Sequence, residues 1–162
     1  IVGSTELVER CRKHPLYRAL RPGRMTYIAL EETLRIYLRG EEEAIARIPA
    51  LQRVLATTEQ LETRQARLVE SIIAIPGASA TALSHDGYAG SGSLPGRPIE
   101  SRAAQLTLSG WTAEDLARRL RTGDPAVLPT IHADSVIIDV RTISDDEVEL
   151  IAARIAEIAS GA

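Results

Sequence analysis

The sequence predicts a mixed α/β chain: a helical first half, then a ββαββα small domain of α+β type whose mostly antiparallel sheet carries its helices on one face. Three observations lead there. Apolar residues recur at helical spacing as far as Ile75, short apolar or alternating segments appear only after Gly77, and Gly, Pro and Ser punctuate the second half.

Taken in order, Ser4 is placed to cap a first helix, with Glu6 and Glu9 near its positive end. Pro15 suits a helix start and Pro22-Gly23 a stop, so "PLYRALR" reads as about two helical turns. From Met25 to Arg39, Tyr27, Leu30, Leu34 and Tyr37 fall on one helical face, and Gly40 ends that helix. "IPALQRVL" (48–55) reads as a connector. Thr57 with Gln60 forms a capping-box pattern, and the helix it opens lines Leu61, Leu68, Ile72 and Ile75 on one side before Pro76-Gly77 closes it. Strands are predicted at 78–84, 102–108, 126–132 and 135–140. Thr112 with Asp115 caps a helix between the second and third strands. Ser144 with Glu147 caps the last one, where Val148, Ile151, Ile155 and Ile158 form a stripe.

Composition narrows the possible functions. The 162 residues are 44% hydrophobic and 25% charged, the range of a globular chain, while aromatics are 3% and Phe is absent, so the core must be Leu, Ile, Val and Ala. One cysteine, Cys11, excludes a disulfide framework and a thiolate zinc site, suits a cytoplasmic setting, and reads as an inert, partly buried side chain. No apolar run approaches the roughly 20 residues of a membrane span. A net charge of −3 and few aromatics argue against tight nucleic-acid binding by this segment alone. Ile1 and Val2 run straight into a helix start and read as the end of a strand whose partners lie elsewhere, the expectation for a fragment.

Two segments bear on chemistry. In "KHPLYRALRPGR" (13–24), helical geometry of about 100° per residue puts Arg18 and Arg21 about 60° apart, opposite Leu16 and Leu20. Two guanidinium forks on one side suit phosphate or carboxylate oxygens, and the alternative is pairing with surface acids such as Glu31 and Glu32. "GYAGSGSLPG" (87–96) is rich enough in glycine to bring backbone N–H groups to an oxyanion, yet it fits no nucleotide-binding pattern and also reads as a connection between strands. Asp145 and Asp146 suit a helix start. Arg118, Arg119 and Arg121 read as solvated, and His14, His85 and His132 have no metal-ligand spacing, so no metal site is expected. No Ser–His–Asp arrangement is proposed from the sequence.

The ordered set "KHPLYRALR", "TYIALEETLRIYL", "IPALQRVL", "GSGSLPG", "RRLRTGDPAV" and "IIDVRTI" resembles the C-terminal portion of bacterial L-seryl-tRNA(Sec) selenium transferases (selenocysteine synthases), from the first residue to about Asp146. The resemblance implies a fold-type I, aspartate-aminotransferase-like pyridoxal-phosphate enzyme. Residues 1–57 would be the tail of its large domain with interdomain helices, and residues 58–162 its small α/β domain. It implies conversion of seryl-tRNA(Sec) to selenocysteinyl-tRNA(Sec) with selenophosphate through an aminoacrylyl intermediate, by a cytoplasmic homo-oligomer whose tRNA recognition relies on an N-terminal domain. Arg18 and Arg21 match the family's arginines implicated in holding the selenium donor. Gly92 and Ser93 fall in an active-site loop where Ser91 interrupts a run of three glycines frequent in the family. Lys13, the only lysine, does not match the Schiff-base position. No catalytic residue is therefore expected in this segment, no cofactor bound to it, and no activity from it alone. Two other readings stay open: a non-catalytic α+β assembly or ligand-binding module, and a related pyridoxal-phosphate amino-acid lyase.

Overall fold

In a computed structural model, residues 2–90 and 96–161 are described. The chain forms two compact units, Ile1–Pro49 and Ala50–Ala162.

The first unit is helical: α1 (Thr5–Lys13), α2 (Pro15–Ala19), α3 (Arg24–Leu38) and α4 (Glu41–Arg47). Ser4 occupies the cap position of α1 with extended backbone, but its side chain makes no cap bond, which corrects the expected role. Cys11 is exposed, not partly buried. The α3 stripe is correct in spacing, yet Tyr27, Leu30, Leu34 and Tyr37 are each about half exposed (48–53%). Ala44 is the only buried residue among those described in this unit.

The segment expected as a connector is helical. Pro49 opens α5 (Pro49–Leu55), where a missing N–H costs nothing and the fixed φ already suits a helix. Ahead of it, Glu41, Glu42 and Glu43 in the first turn and Arg47 in the last complement the dipole of α4.

The second unit continues with α6 (Thr58–Ile73), β1 (Ala78–Gly87), β2 (Ile99–Leu108), α7 (Ala113–Arg121), β3 (Thr130–His132), β4 (Ser135–Asp139), a 3-10 turn at Val140–Thr142 and α8 (Glu147–Ala159). This is the predicted ββαββα order. The sheet is antiparallel throughout, in the spatial order β1-β2-β4-β3. Even-numbered residues of β2 and β4, among them Ala104, Leu106, Leu108, Val136 and Ile138, pack under α6, α7 and α8, so the helices lie on one face. The stripes Leu61, Leu68, Ile72, Ile75 and Val148, Ile151, Ile155, Ile158 are all buried there. Strand bounds differ from prediction where polar residues pair. His85–Gly87 and Ile99–Ser101 extend the hairpin because backbone pairing does not need apolar side chains. Pro125 and Pro129 keep 126–129 out of β3.

The Thr57–Gln60 capping box forms in both directions, and Thr112 Oγ1 accepts the Asp115 N–H. Ser144 does meet Glu147, but its N–H and hydroxyl donate to the Glu147 carboxylate (2.6 and 2.9 Å) in the turn before α8, so it does not cap the helix by accepting an N–H. The expected solvation of α7's arginines holds in part: Arg118 pairs with Asp115.

Two arginines tie the sheet to its surroundings. Buried Arg141 donates to the carbonyls of Arg53 (2.7 Å), Val54 (3.2 Å) and Ala56 (3.4 Å) at the end of α5, and to that of Glu100 in β2. Arg64 on α6 donates to Asp145 Oδ1 (2.7 Å) and to the Val140 carbonyl (3.0 Å).

Replacing Arg141 with Met strips donors from four carbonyls and is expected to lower unfolding free energy by about 3 kcal/mol. Arg141→Lys should recover only part, because an ammonium lacks the fork. Urea unfolding measures both, and a loss below about 0.5 kcal/mol contradicts the role. The Arg64 guanidinium holds the Asp145 carboxyl below the usual carboxylate range. Because the folded value is depressed, the pair's contribution is complete above about pH 4 and is lost as pH falls through the lower folded value. Asp145→Asn should therefore make the acid limb shallower, by less than about 1 kcal/mol for so exposed a carboxylate. Unchanged pH dependence of the urea midpoint would count against it.

Candidate anion site

The basic segment is built by two short helices meeting at His14. Its extended backbone ends α1, and its ring Nδ1 accepts the Leu16 N–H (3.2 Å), capping α2 in place of a Ser or Asp. That bond gives His14 a structural role. Pro15 fills the first helical position. The Leu20 N–H bonds the Leu16 carbonyl (2.8 Å), and α2 stops at Ala19. Pro22, which cannot donate, lies two residues beyond Leu20, and Gly23 starts α3.

The predicted helix thus ends two residues early. Arg18 lies in α2, whereas Arg21 lies just past it, tethered by its N–H to the Arg18 carbonyl (3.4 Å). A shared helical face is therefore not the geometry relating them; a tight turn is. Lys13, Arg18, Arg21 and Arg24 are all exposed.

The acids that could neutralise this segment are otherwise engaged. Arg35 takes Glu31 (2.8 Å) and Glu32 (3.5 Å), and Arg12 takes Glu9 (3.3 Å). Among the described residues, no carboxylate comes within ion-pair reach of Lys13, Arg18, Arg21 or Arg24. Four cations within twelve residues, without internal counter-charges, attract an anion, and the guanidinium forks can grip its oxygens.

Gly92 and Ser93 lie outside the described residues. The ends of their loop are described: Gly90 and Gly96 both have positive φ (44° and 73°). At its foot lies a polar cluster spanning three strands, which no sequence motif marks. Ser101 Oγ donates to Asp139 Oδ1 (2.6 Å), the Arg141 N–H donates to the same oxygen (2.9 Å), and His85 Nε2 stands 3.9 Å from Asp139 Oδ2. A Cβ on buried Gly87 would sit 3.2 Å from that second oxygen. Only sheet register reveals the grouping, with His85 opposite Ser101. The aspartate, not the histidine, takes the serine hydroxyl, and Ser101 is fully buried, so this is a strand clasp and not an activated nucleophile.

A cavity of about 330 Å³ opens beside β4, with Val127, Leu128, Ile143 and Leu150 in its wall. Its two carboxylates, Asp139 and Glu147, are already hydrogen-bonded, so it presents no convergent polar set. Among the described residues, no three His, Cys, Asp or Glu side chains gather as metal ligands, and no helix is long and apolar enough to cross a membrane.

Against known proteins, residues 1–144 match the family model described as "SelA: L-seryl-tRNA selenium transferase". Named L-seryl-tRNA(Sec) selenium transferases are similar over almost the whole chain. That of Caldanaerobacter subterraneus subsp. tengcongensis is 34% identical over 158 residues, covering 98% of this chain and 34% of its own. Those of Moorella thermoacetica (35% over 164 residues, 100% and 35%) and Solidesulfovibrio magneticus (35% over 169 residues, 97% and 34%) are comparable. The chain spans about a third of the length of these relatives. The motifs from "KHPLYRALR" to "IIDVRTI" lie inside the matched span, and with that the chain belongs to the L-seryl-tRNA selenium transferase family.

Proposed function

We propose that this chain is the C-terminal portion of a pyridoxal-phosphate-dependent enzyme that converts seryl-tRNA(Sec) to selenocysteinyl-tRNA(Sec), with selenophosphate as selenium donor. In this reading residues 1–57 are the tail of a fold-type I large domain with interdomain helices, and residues 58–162 are the small domain. The parent works in the cytoplasm as a homo-oligomer, and this portion alone is inactive. The name shared by the relatives supports the transferase and its tRNA substrate. The observation that carries the donor is the pair Arg18 and Arg21, left without carboxylate partners on an exposed turn.

Selenophosphate is a small dense anion, and two forked cations suit its oxygens better than two ammonium groups would. The role of Arg18 and Arg21 is to bind and orient that anion and to hold its charge while selenium leaves phosphorus. Exposed guanidiniums in water achieve this weakly, so the pair acts when the rest of the parent closes around it and lowers the local dielectric.

The residues of this chain do not fit the cofactor. Its only lysine, Lys13, is exposed at the end of α1, outside any described cavity. No step of the cofactor's chemistry is therefore assigned to these residues, and the proposal places the cofactor lysine elsewhere in the parent. Gly92 and Ser93 are offered as active-site loop residues of the parent.

In the full-length parent, Arg18→Ala and Arg21→Ala are each expected to lower selenophosphate-dependent conversion of seryl-tRNA(Sec) by about a hundredfold. The visible absorption of the bound cofactor should not change. Wild-type selenium transfer in both variants would reject the clamp, and turnover of free amino acids without use of seryl-tRNA(Sec) would reject the transferase reading.

A further inference from the structure

The β1–β2 hairpin pairs as far as Gly87 and Ile99, and residues 88–98 leave and rejoin the sheet at that end. The open end of a hairpin frays unless something besides its last backbone bonds holds it. Here a side chain from the third strand reaches over both roots. Asp139 on β4 stands opposite Ala103 of β2, and strand alternation turns it away from the helix-covered face that Ile138 serves. Its carboxylate is only 16% exposed. On the returning strand Oδ1 takes the Ser101 hydroxyl (2.6 Å), and one residue earlier the Glu100 carbonyl accepts from the Arg141 guanidinium. On the departing strand Oδ2 lies 3.9 Å from His85 Nε2 and 3.2 Å from where a Cβ on Gly87 would stand.

The glycines near this end divide by what they are for. Gly90 and Gly96 have positive φ and open space where a Cβ would go, so they serve bends of the chain. Gly87 is buried and has no such φ; what a side chain there would meet is the Asp139 carboxylate. We infer that Asp139 and Gly87 are positioning residues for the reaction: the carboxylate, admitted to the edge strand by a residue without a side chain, fixes where the Gly-rich loop leaves and rejoins the sheet. This rests on the proposed reading of Gly92 and Ser93 as active-site loop residues. A displacement of about 1 Å in groups that orient a reaction costs up to about a hundredfold in rate, so anchoring of the roots is felt in turnover. The grip needs an acceptor oxygen more than a charge, because Oδ1 takes both the Ser101 hydroxyl and the Arg141 N–H while no described donor is within hydrogen-bond distance of Oδ2.

Hydrogen exchange read by mass spectrometry, together with selenophosphate-dependent conversion of seryl-tRNA(Sec), tests this in the full-length parent. Asp139→Ala should speed exchange at 86–88 and 99–101 at least tenfold and leave α6 and α8 unchanged. It should also lower kcat about tenfold, with the KM for selenophosphate and the cofactor's visible absorption unaltered, since the donor is held by Arg18 and Arg21. Asp139→Asn keeps an acceptor in place and should restore both readings. Gly87→Ala should lower kcat by itself yet add nothing to Asp139→Ala, because the carboxylate that it crowds is then gone. Ser101→Ala removes a single donor and should give the same exchange pattern more weakly, so the test survives an Asp139→Ala parent that does not fold. Exchange that rises equally in α6 and α8 for Ser101→Ala makes the cluster a general structural support and overturns the assignment. So does wild-type kcat in Asp139→Ala, or losses from Gly87→Ala and Asp139→Ala that simply add. A wild-type parent that does not convert seryl-tRNA(Sec) rejects the proposed function itself, a result distinct from wild-type turnover that these variants leave intact.

Discussion

The guanidinium of Arg141 is the contact on which the second unit turns. A helix of seven residues such as α5 leaves most of its last carbonyls without intrahelical donors. One buried side chain answers two of them and the Ala56 carbonyl just beyond and, through its second terminal nitrogen, the Glu100 carbonyl on β2. Burying a charge is costly, and the bonds to four dipoles offset that cost while fixing where α5 ends against the sheet. Its own backbone is held too, since the Arg141 N–H caps onto Asp139, whose carboxylate also takes Ser101. Helix end, central strand and the strand after it thus meet through two neighbouring residues. Both belong to "IIDVRTI", so that stretch is explained by architecture before any chemistry is invoked.

A core without Phe, with only 3% aromatics, has to be close-packed from aliphatic groups, and the sheet's helix-covered face makes that possible. The small residues Ala104 and Ala117 let helices approach the strands, and Leu106, Leu116 and Leu120 fill the space between. Where α6 crosses the hairpin, Gln65 spans both strands, its amide donating to the carbonyls of Leu83 (3.0 Å) and Ala103 (2.6 Å). A buried amide satisfied this way fixes the helix's register along the sheet, which Leu and Ile alone specify loosely.

What the sequence made legible was local. Thr57 with Gln60 and Thr112 with Asp115 mark helix starts because their bonding partners are three residues away. The stripes of α6 and α8 are legible because helical period and burial coincide. Arg141 was not, because its partners at Arg53 and Glu100 are 88 and 41 residues distant and nothing in its neighbours betrays them. The same holds for the Ser101–Asp139 bond, set by strand order. In the candidate site, the cations could be named from the sequence but their arrangement could not. Extending the helix to Arg21 took Pro22-Gly23 as its stop, whereas α2 already ends at Ala19.

The first unit obeys a different constraint. Four helices with Ala44 as their only described buried residue cannot gain enough from burial to hold one another, since stability in so small a unit depends on how much apolar surface leaves water. Leu7, Leu16, Tyr17 and Leu20 join the α3 stripe in facing outward. Whatever covers these faces therefore also sets the angle at which α2 presents Arg18 and the turn presents Arg21. Arg18 lies about 200° round α2 from Leu16, so a surface that covers Leu16 fixes which way the guanidinium points while leaving it on the other side of the helix. Charge that is weakly effective in the exposed turn becomes a binding determinant by the removal of solvent, without any change in the residues themselves.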